Sequence, residues 1–258
     1  MRWPDLGCRT ACYGPLEPQI WPLLRGLGFS AVEIKTPAAD ALNDVCAALR
    51  RADLRVAALH LSCYLTRDDY TEQVRAQREA LLALQAPYAL LTMRRETLPP
   101  PEAYDRIRRI ADELPPGVVA LLEVHADLAT NAAVALETMR GVNDPRVRIN
   151  YDPANIHFYN RGLDPIAEFR AMRAFVAGVH LKETNGAFET RHFPAIGEGV
   201  VDWAGLFGEL DAMNFAGPVT LELEGVAGEE KSFELALNRL NESVRYIQLL
   251  HGARARSR

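Results

Sequence analysis

The chain has 258 residues, 48% hydrophobic and 24% charged, the composition of an ordinary globular protein. Twenty-nine Lys and Arg against 34 Asp and Glu leave a formal charge of −5, which argues against nucleic acid as a partner because phosphate binding needs a basic footprint. No apolar run reaches the roughly 18 residues of a membrane span, so no membrane association is predicted.

Cys8, Cys12, Cys46 and Cys63 show no CxxC or zinc-ribbon spacing and read as reduced, mostly buried thiols. No apolar stretch follows Met1–Asp5, so no signal peptide is expected and the expected location is the cytoplasm. Arg254, Arg256 and Arg258 form a short basic tail, expected to fray.

In chain order, strands are predicted at Leu6–Cys8, Ala31–Ile34, Val56–Leu61, Tyr88–Thr92, Val118–Val124, Val147–Tyr151, Val176–Leu181 and Val219–Leu223. Helical periodicity falls between them, over Ala38–Arg51, Asp68–Gln85, Glu102–Leu114 and Asp127–Arg140. Another helix opens at Asp164-Pro165, and Asp202–Asn214 and Glu229–His251 complete the series. The Gly26-x-Gly28 pair precedes a strand and reads as a helix C-cap, not a phosphate cradle. No G-x-G-x-x-G follows the first strand, against a dinucleotide-binding open sheet. Eight strand–helix units in this length are the arithmetic of an α/β, (β/α)8 TIM barrel, with one domain expected over residues 1–258.

In such a barrel, reactive side chains project from the C-terminal strand ends, and strand residues alternate between interior and helical layer. Glu123 and His125 share a face at the end of the fifth strand. Asp152 closes the sixth, and Asn155 follows it. His180 and Lys182 share a face on the seventh, and Glu222 and Glu224 on the eighth. Three carboxylates aimed into one mouth repel one another, and a divalent cation relieves that repulsion. One imidazole with three carboxylates suits Mn2+, Mg2+ or Co2+, and Zn2+ is the alternative. His60, ending the third strand, and Glu33, on the second, point by parity into the same mouth and are expected to touch substrate. Thr92-Met93-Arg94-Arg95 offers an anion contact. Trp3, Tyr13, Tyr64 and Phe158 lie in segments expected to line the rim.

Leu122-Glu123-Val124-His125, Asn150-Tyr151-Asp152-Pro153-Ala154-Asn155, Val179-His180-Leu181-Lys182-Glu183, Gly197-Glu198-Gly199-Val200-Val201-Asp202-Trp203 and Gly217-Pro218-Val219-Thr220-Leu221-Glu222-Leu223-Glu224 resemble the xylose isomerase-like TIM-barrel superfamily. The branch they resemble most is that of the sugar (phosphate) isomerases and epimerases. The resemblance implies one divalent metal ion held by Glu123, Asp152, His180 and Glu222, with Glu224, two residues on at the same parity, as the alternative to Glu222, and with Glu123 and Glu222 also exchanging the substrate proton. Asn155 stands where ketose 3-epimerases carry a His, and Arg191 is the nearest Arg after the seventh-strand His. With His125, Lys182 and Glu224 they complete the expected substrate contacts.

The implied reaction removes a proton from the carbon beside a carbonyl and returns it, through a metal-stabilised enediolate. Return to the opposite face is epimerisation, and transfer to the neighbouring carbon is isomerisation. The expected partner is a small sugar or polyol, with homo-oligomerisation left open. An inosose dehydratase-like lyase and a non-catalytic sugar-binding barrel are the alternatives.

Overall fold

The computed structural model describes residues 6–230 and 232–256, with side chains as far as Gly252. Its barrel strands are β1 (Leu6–Arg9), β2 (Ala31–Lys35), β3 (Arg55–His60), β4 (Tyr88–Leu91), β5 (Val119–Glu123), β6 (Val147–Tyr151) and β7 (Val176–Leu181). Two short strands, β8 (His192–Phe193) and β10 (Gly225–Val226), flank β9 (Val219–Leu221) in sequence. The closed order β1-β2-β3-β4-β5-β6-β7-β9 is parallel throughout, while β8 and β10 form a separate antiparallel pair. This is the predicted (β/α)8 architecture, with an added ribbon at the end of the barrel where β7 and β9 finish.

Alternation builds the two faces. Val32, Ile34, Leu122, Ile149, Tyr151, Val179 and Leu221 are buried under the surrounding helices. Helix Pro100–Glu113 meets that layer with Ala103, Ile107, Ile110 and Ala111, a spacing that keeps one stripe inward. Full burial of each Ile contributes about 1.5–3 kcal/mol. The barrel interior holds a lower layer with Leu121, Asn150, Gly178 and Thr220. A Cβ on Gly178 would stand 2.4 Å from Asn150 Oδ1, so only Gly lets the layer close. Above it, at the C-terminal strand ends, the interior turns polar and charged.

Several boundaries differ from the periodicity. The predicted helix 68–85 is two helices, Tyr70–Arg75 and Arg78–Ala83. Gln77 at the break accepts from Thr36 Oγ1 (2.6 Å) and Ser62 N (3.0 Å) and donates to Ser62 O (2.8 Å), so it ties the ends of β2 and β3. Asp127 does not cap a long helix. It accepts from the backbone N–H of Arg95 and Glu96, while Asn131 caps Ala132–Val142 through Val134 N. That helix runs through Gly141 and ends on left-handed Asn143. The first periodic helix begins at Leu42, and the last spans Phe233–Arg256, because residues 225–226 are drawn into β10. The Asp164-Pro165 and Asp202 starts, and the Gly28 C-cap at φ +92°, are as read. Of the four cysteines, Cys8 and Cys63 are buried and Cys12 and Cys46 half-buried. Among the described residues no helix is long and apolar enough to cross a membrane.

Candidate metal centre and cavity

Glu123 ends β5, while Asp152 and Glu222 each follow a strand by one residue and His180 lies near the end of β7. All four are at least nine-tenths buried. One donor atom from each falls within 4.8 Å of the others. Donors on opposite sides of an ion with bonds of about 2.1 Å stand about 4.2 Å apart, so a small inward shift gives a coordination shell.

Each of these side chains has one polar atom committed to the protein. Glu123 Oε2 accepts from Thr92 Oγ1 at 2.8 Å. Asp152 Oδ1 accepts from Ala154 N (2.9 Å) and Asn155 N (3.0 Å), because Asp152-Pro153 opens helix Pro153–Tyr159 with an N-cap and a proline at its first position. His180 Nε2 lies 3.0 Å from Glu33 Oε2, and Glu222 Oε1 lies 2.9 Å from Arg9 Nε. The second atom of each faces the common centre. Glu123 Oε1 is 3.0 Å from His180 Nδ1. Glu222 Oε2 is 2.9 Å from the same nitrogen but off the line of a hydrogen bond. Asp152 Oδ2 is buried without any hydrogen bond. A single imidazole nitrogen cannot satisfy this set of oxygens, whereas a divalent cation can, so the residues fit a metal.

The charges agree. Burial works against ionised Glu123, but its hydrogen bond to His180 prevails and lowers it to about 2. Asp152, with an orphaned oxygen, is raised to about 7 by burial. Burial lowers His180, yet Glu33, Glu222 and Glu123 outweigh it and hold the imidazole well above its usual range. Lys182 Nζ adds a fixed positive charge, 2.8 Å from Glu224, 3.6 Å from Asp152 and 3.7 Å from Glu222.

Above the cluster lies a cavity of about 180 Å³. Of the residues expected to touch substrate, His60, His125, Asn155, Lys182, Arg191 and Glu224 line it, as do Glu123 and Glu222. Glu33 does not. It is 2% exposed and lies beside His180. Parity placed it inside the barrel, where its carboxylate meets Arg9 and His180. Lys182 is further held by Asn155 Oδ1 (3.2 Å) and sits 4.6 Å from the centre of the Phe193 ring. His125 Nε2 is 2.6 Å from Tyr159 Oη, and its Nδ1 is buried without a partner.

Arg94 and Arg95 do not line the cavity, and Arg95 donates to Leu98 O instead. Of the rim aromatics, Phe158 lines it. Tyr13 is buried against Cys8 and Tyr64 is 66% exposed, and neither is among the residues lining this cavity. Trp3 lies outside the described residues. The sequence reading missed Arg9, Thr92 as a carboxylate partner, Tyr159 and Phe193. An Arg closing the shortest apolar run gave only the signal of a solvated strand end.

His60 is held from both sides. Arg9 Nη2 donates to Nδ1 at 2.9 Å, so the ring proton is on Nε2, 3.2 Å from Thr92 Oγ1. Burial, reinforced by Arg9, lowers its pKa from 6.5 to about 4. Neutral His60 therefore contributes stability above pH 6.5 that is lost as the pH falls towards 4, up to about 3 kcal/mol. Thermal unfolding of wild type and His60→Gln should show the wild type losing more stability over that range. Parallel slopes would refute this.

The loop after β7 is fixed by Glu183, which is fully buried. Its carboxylate accepts from Gly197 N (2.9 Å), Val201 N (3.1 Å), Thr184 N (3.0 Å) and Trp203 Nε1 (2.8 Å). Gly199 passes so close that a Cβ there would stand 2.1 Å from Thr184 O.

A family model described as xylose isomerase-like TIM barrel matches residues 21–243. No curated protein matches the sequence. Solved structures do. An L-ribulose 3-epimerase superimposes with a TM-score of 0.77 at 16% identity, covering 98% of this chain and 97% of its own. The probable 3-DHS dehydratase involved in petrobactin synthesis from Bacillus anthracis gives 0.73 at 17%, covering 95% and 98%. D-allulose 3-epimerase from Methylomonas sp., in complex with D-allulose, gives 0.72 at 19%, covering 95% and 96%. At these identities the likeness concerns the fold.

Proposed function

The chain belongs to the xylose isomerase-like TIM-barrel family, and from that premise we propose that it is a divalent-metal-dependent sugar isomerase or epimerase. The observation that carries the reading is the convergence of one donor atom from each of Glu123, Asp152, His180 and Glu222 beneath a polar cavity, with Asp152 Oδ2 and Glu222 Oε2 buried without a hydrogen bond. Mn2+, Mg2+ or Co2+ suits this donor set best, with Zn2+ as the alternative. A bound ion supplies positive charge that stabilises the oxyanion developing as a proton leaves the carbon beside a carbonyl.

The residues provide the rest. Glu123 and Glu222 enter the cavity from β5 and from the end of β9, on different sides of a substrate, so one carboxylate removes the proton and the other returns it. Thr92 and Arg9 hold their outer oxygens. Lys182 and His125 present donors for hydroxyl or carbonyl oxygens. Phe158 and Phe193 supply apolar walls for C–H surfaces. The epimerases and the sugar complex among the similar structures support a small sugar or polyol as substrate. The dehydratase among them supports a second reading, a lyase that expels a β-hydroxyl after the same proton abstraction. Its product is lighter by one water.

Purified protein should retain about one divalent ion per chain. Free ketoses incubated with it in deuterated water should gain deuterium at C1 or C3. Ion and sugar binding with no exchange across a panel including inosose and hydroxypyruvate would replace catalysis with a sugar-binding role.

A further inference from the structure

Two buried residues from strands that carry no candidate ligand contact the ligand set, Arg9 from the cavity wall and Glu33 from outside the cavity lining. Arg9 ends β1 and Glu33 lies in β2. Glu33 is 2% exposed, and its Oε2 meets His180 Nε2 at 3.0 Å. A carboxylate accepts only, so this contact holds a proton on Nε2 and leaves Nδ1, which faces Glu123 and Glu222 at the centre, as the nitrogen free to exchange its proton for a metal. Arg9 uses three nitrogens on three partners: Nε on Glu222 Oε1 at 2.9 Å, Nη1 on Glu33 Oε1, and Nη2 on His60 Nδ1 at 2.9 Å. Its bond to Glu222 leaves Oε2 as the oxygen that faces the cluster.

We propose that Arg9 and Glu33 form a positioning brace that selects Nδ1 of His180 and Oε2 of Glu222 as metal donors. The inference rests on the metal reading above. A Lys at position 9 has one nitrogen and cannot span three partners, so the fork itself is what the brace requires. A simple buried ion pair is the competing role. It predicts that removing both charges together restores the site, whereas a brace stays lost.

The test is Mn2+ affinity, by titration calorimetry, of the full-length metal-stripped chain, with circular dichroism as the folding control. Glu33→Leu should weaken Mn2+ binding about 10–100-fold, the range for partners of ligating histidines. Glu33→Gln, which keeps an acceptor for Nε2–H, should recover most of that loss. The double variant Arg9→Met with Glu33→Leu should remain at least as weak as Glu33→Leu. Recovery in the double variant, or a folded Glu33→Leu with wild-type affinity, overturns the brace. If Glu33→Leu fails to fold, Arg9→Lys decides. A loss of about tenfold or more supports the brace, and a smaller loss overturns it. Failure of the wild type itself to bind Mn2+, Mg2+, Co2+ or Zn2+ removes the metal reading and the brace with it.

Discussion

Glu222→Gln is expected to slow deuterium exchange into substrate by roughly 10²–10⁴-fold, the contribution of a positioned proton-transfer group. The substitution keeps the side chain's size and a hydrogen-bond acceptor for Arg9 Nε, but removes the charge that faces His180 and Lys182. It therefore strikes both roles assigned to this carboxylate, donor to the ion and proton carrier. Metal content separates them: loss of exchange with the ion retained points to the proton role. Glu224→Gln is the matched control. Glu224 is two residues on at the same parity, but its side chain is 34% exposed and its contact is with Lys182 at the cavity wall. Exchange in that variant should stay within about tenfold of wild type. A larger loss at Glu224 than at Glu222 would transfer the assignment to Glu224.

Glu183→Leu is expected to destabilise the fold by about 3–5 kcal/mol. The leucine leaves three backbone N–H groups and the Trp203 indole N–H without their acceptor, and each unsatisfied buried donor costs about 1–3 kcal/mol before relaxation. In a chain of this length the melting temperature should fall by on the order of 10 °C. Trp203, 1% exposed, gives a direct optical readout, because its fluorescence should shift to longer wavelength as the loop loosens. Unchanged melting and emission would mean that the loop is held by the packing of Trp203 alone.

What the sequence made legible follows from the physics of alternation. Glu123, Asp152, His180 and Glu222 stand at or beside the ends of apolar runs whose other face is occupied by residues such as Leu122, Tyr151, Val179 and Leu221. Their convergence could be read from parity and strand number. Contacts made across the barrel could not. The break at Gln77 depends on hydrogen bonds to Thr36 and Ser62, and the Asp127 position depends on the loop that contains Arg95. A helical wheel contains neither partner. Arg9 was invisible for a related reason: its partners come from β2, the end of β3 and the residue after β9. Glu33 shows the limit of parity, which fixes the side of the strand but not the height along the barrel axis.

The contact between Arg9 and Glu222 joins opposite ends of the chain. A nascent chain still lacking its last barrel strand has no Glu222, and a chain shortened from the other end past β1 has no Arg9. An ion held by the proposed cluster would bind only where the whole circuit has been made, and its binding energy would fall entirely on the finished fold.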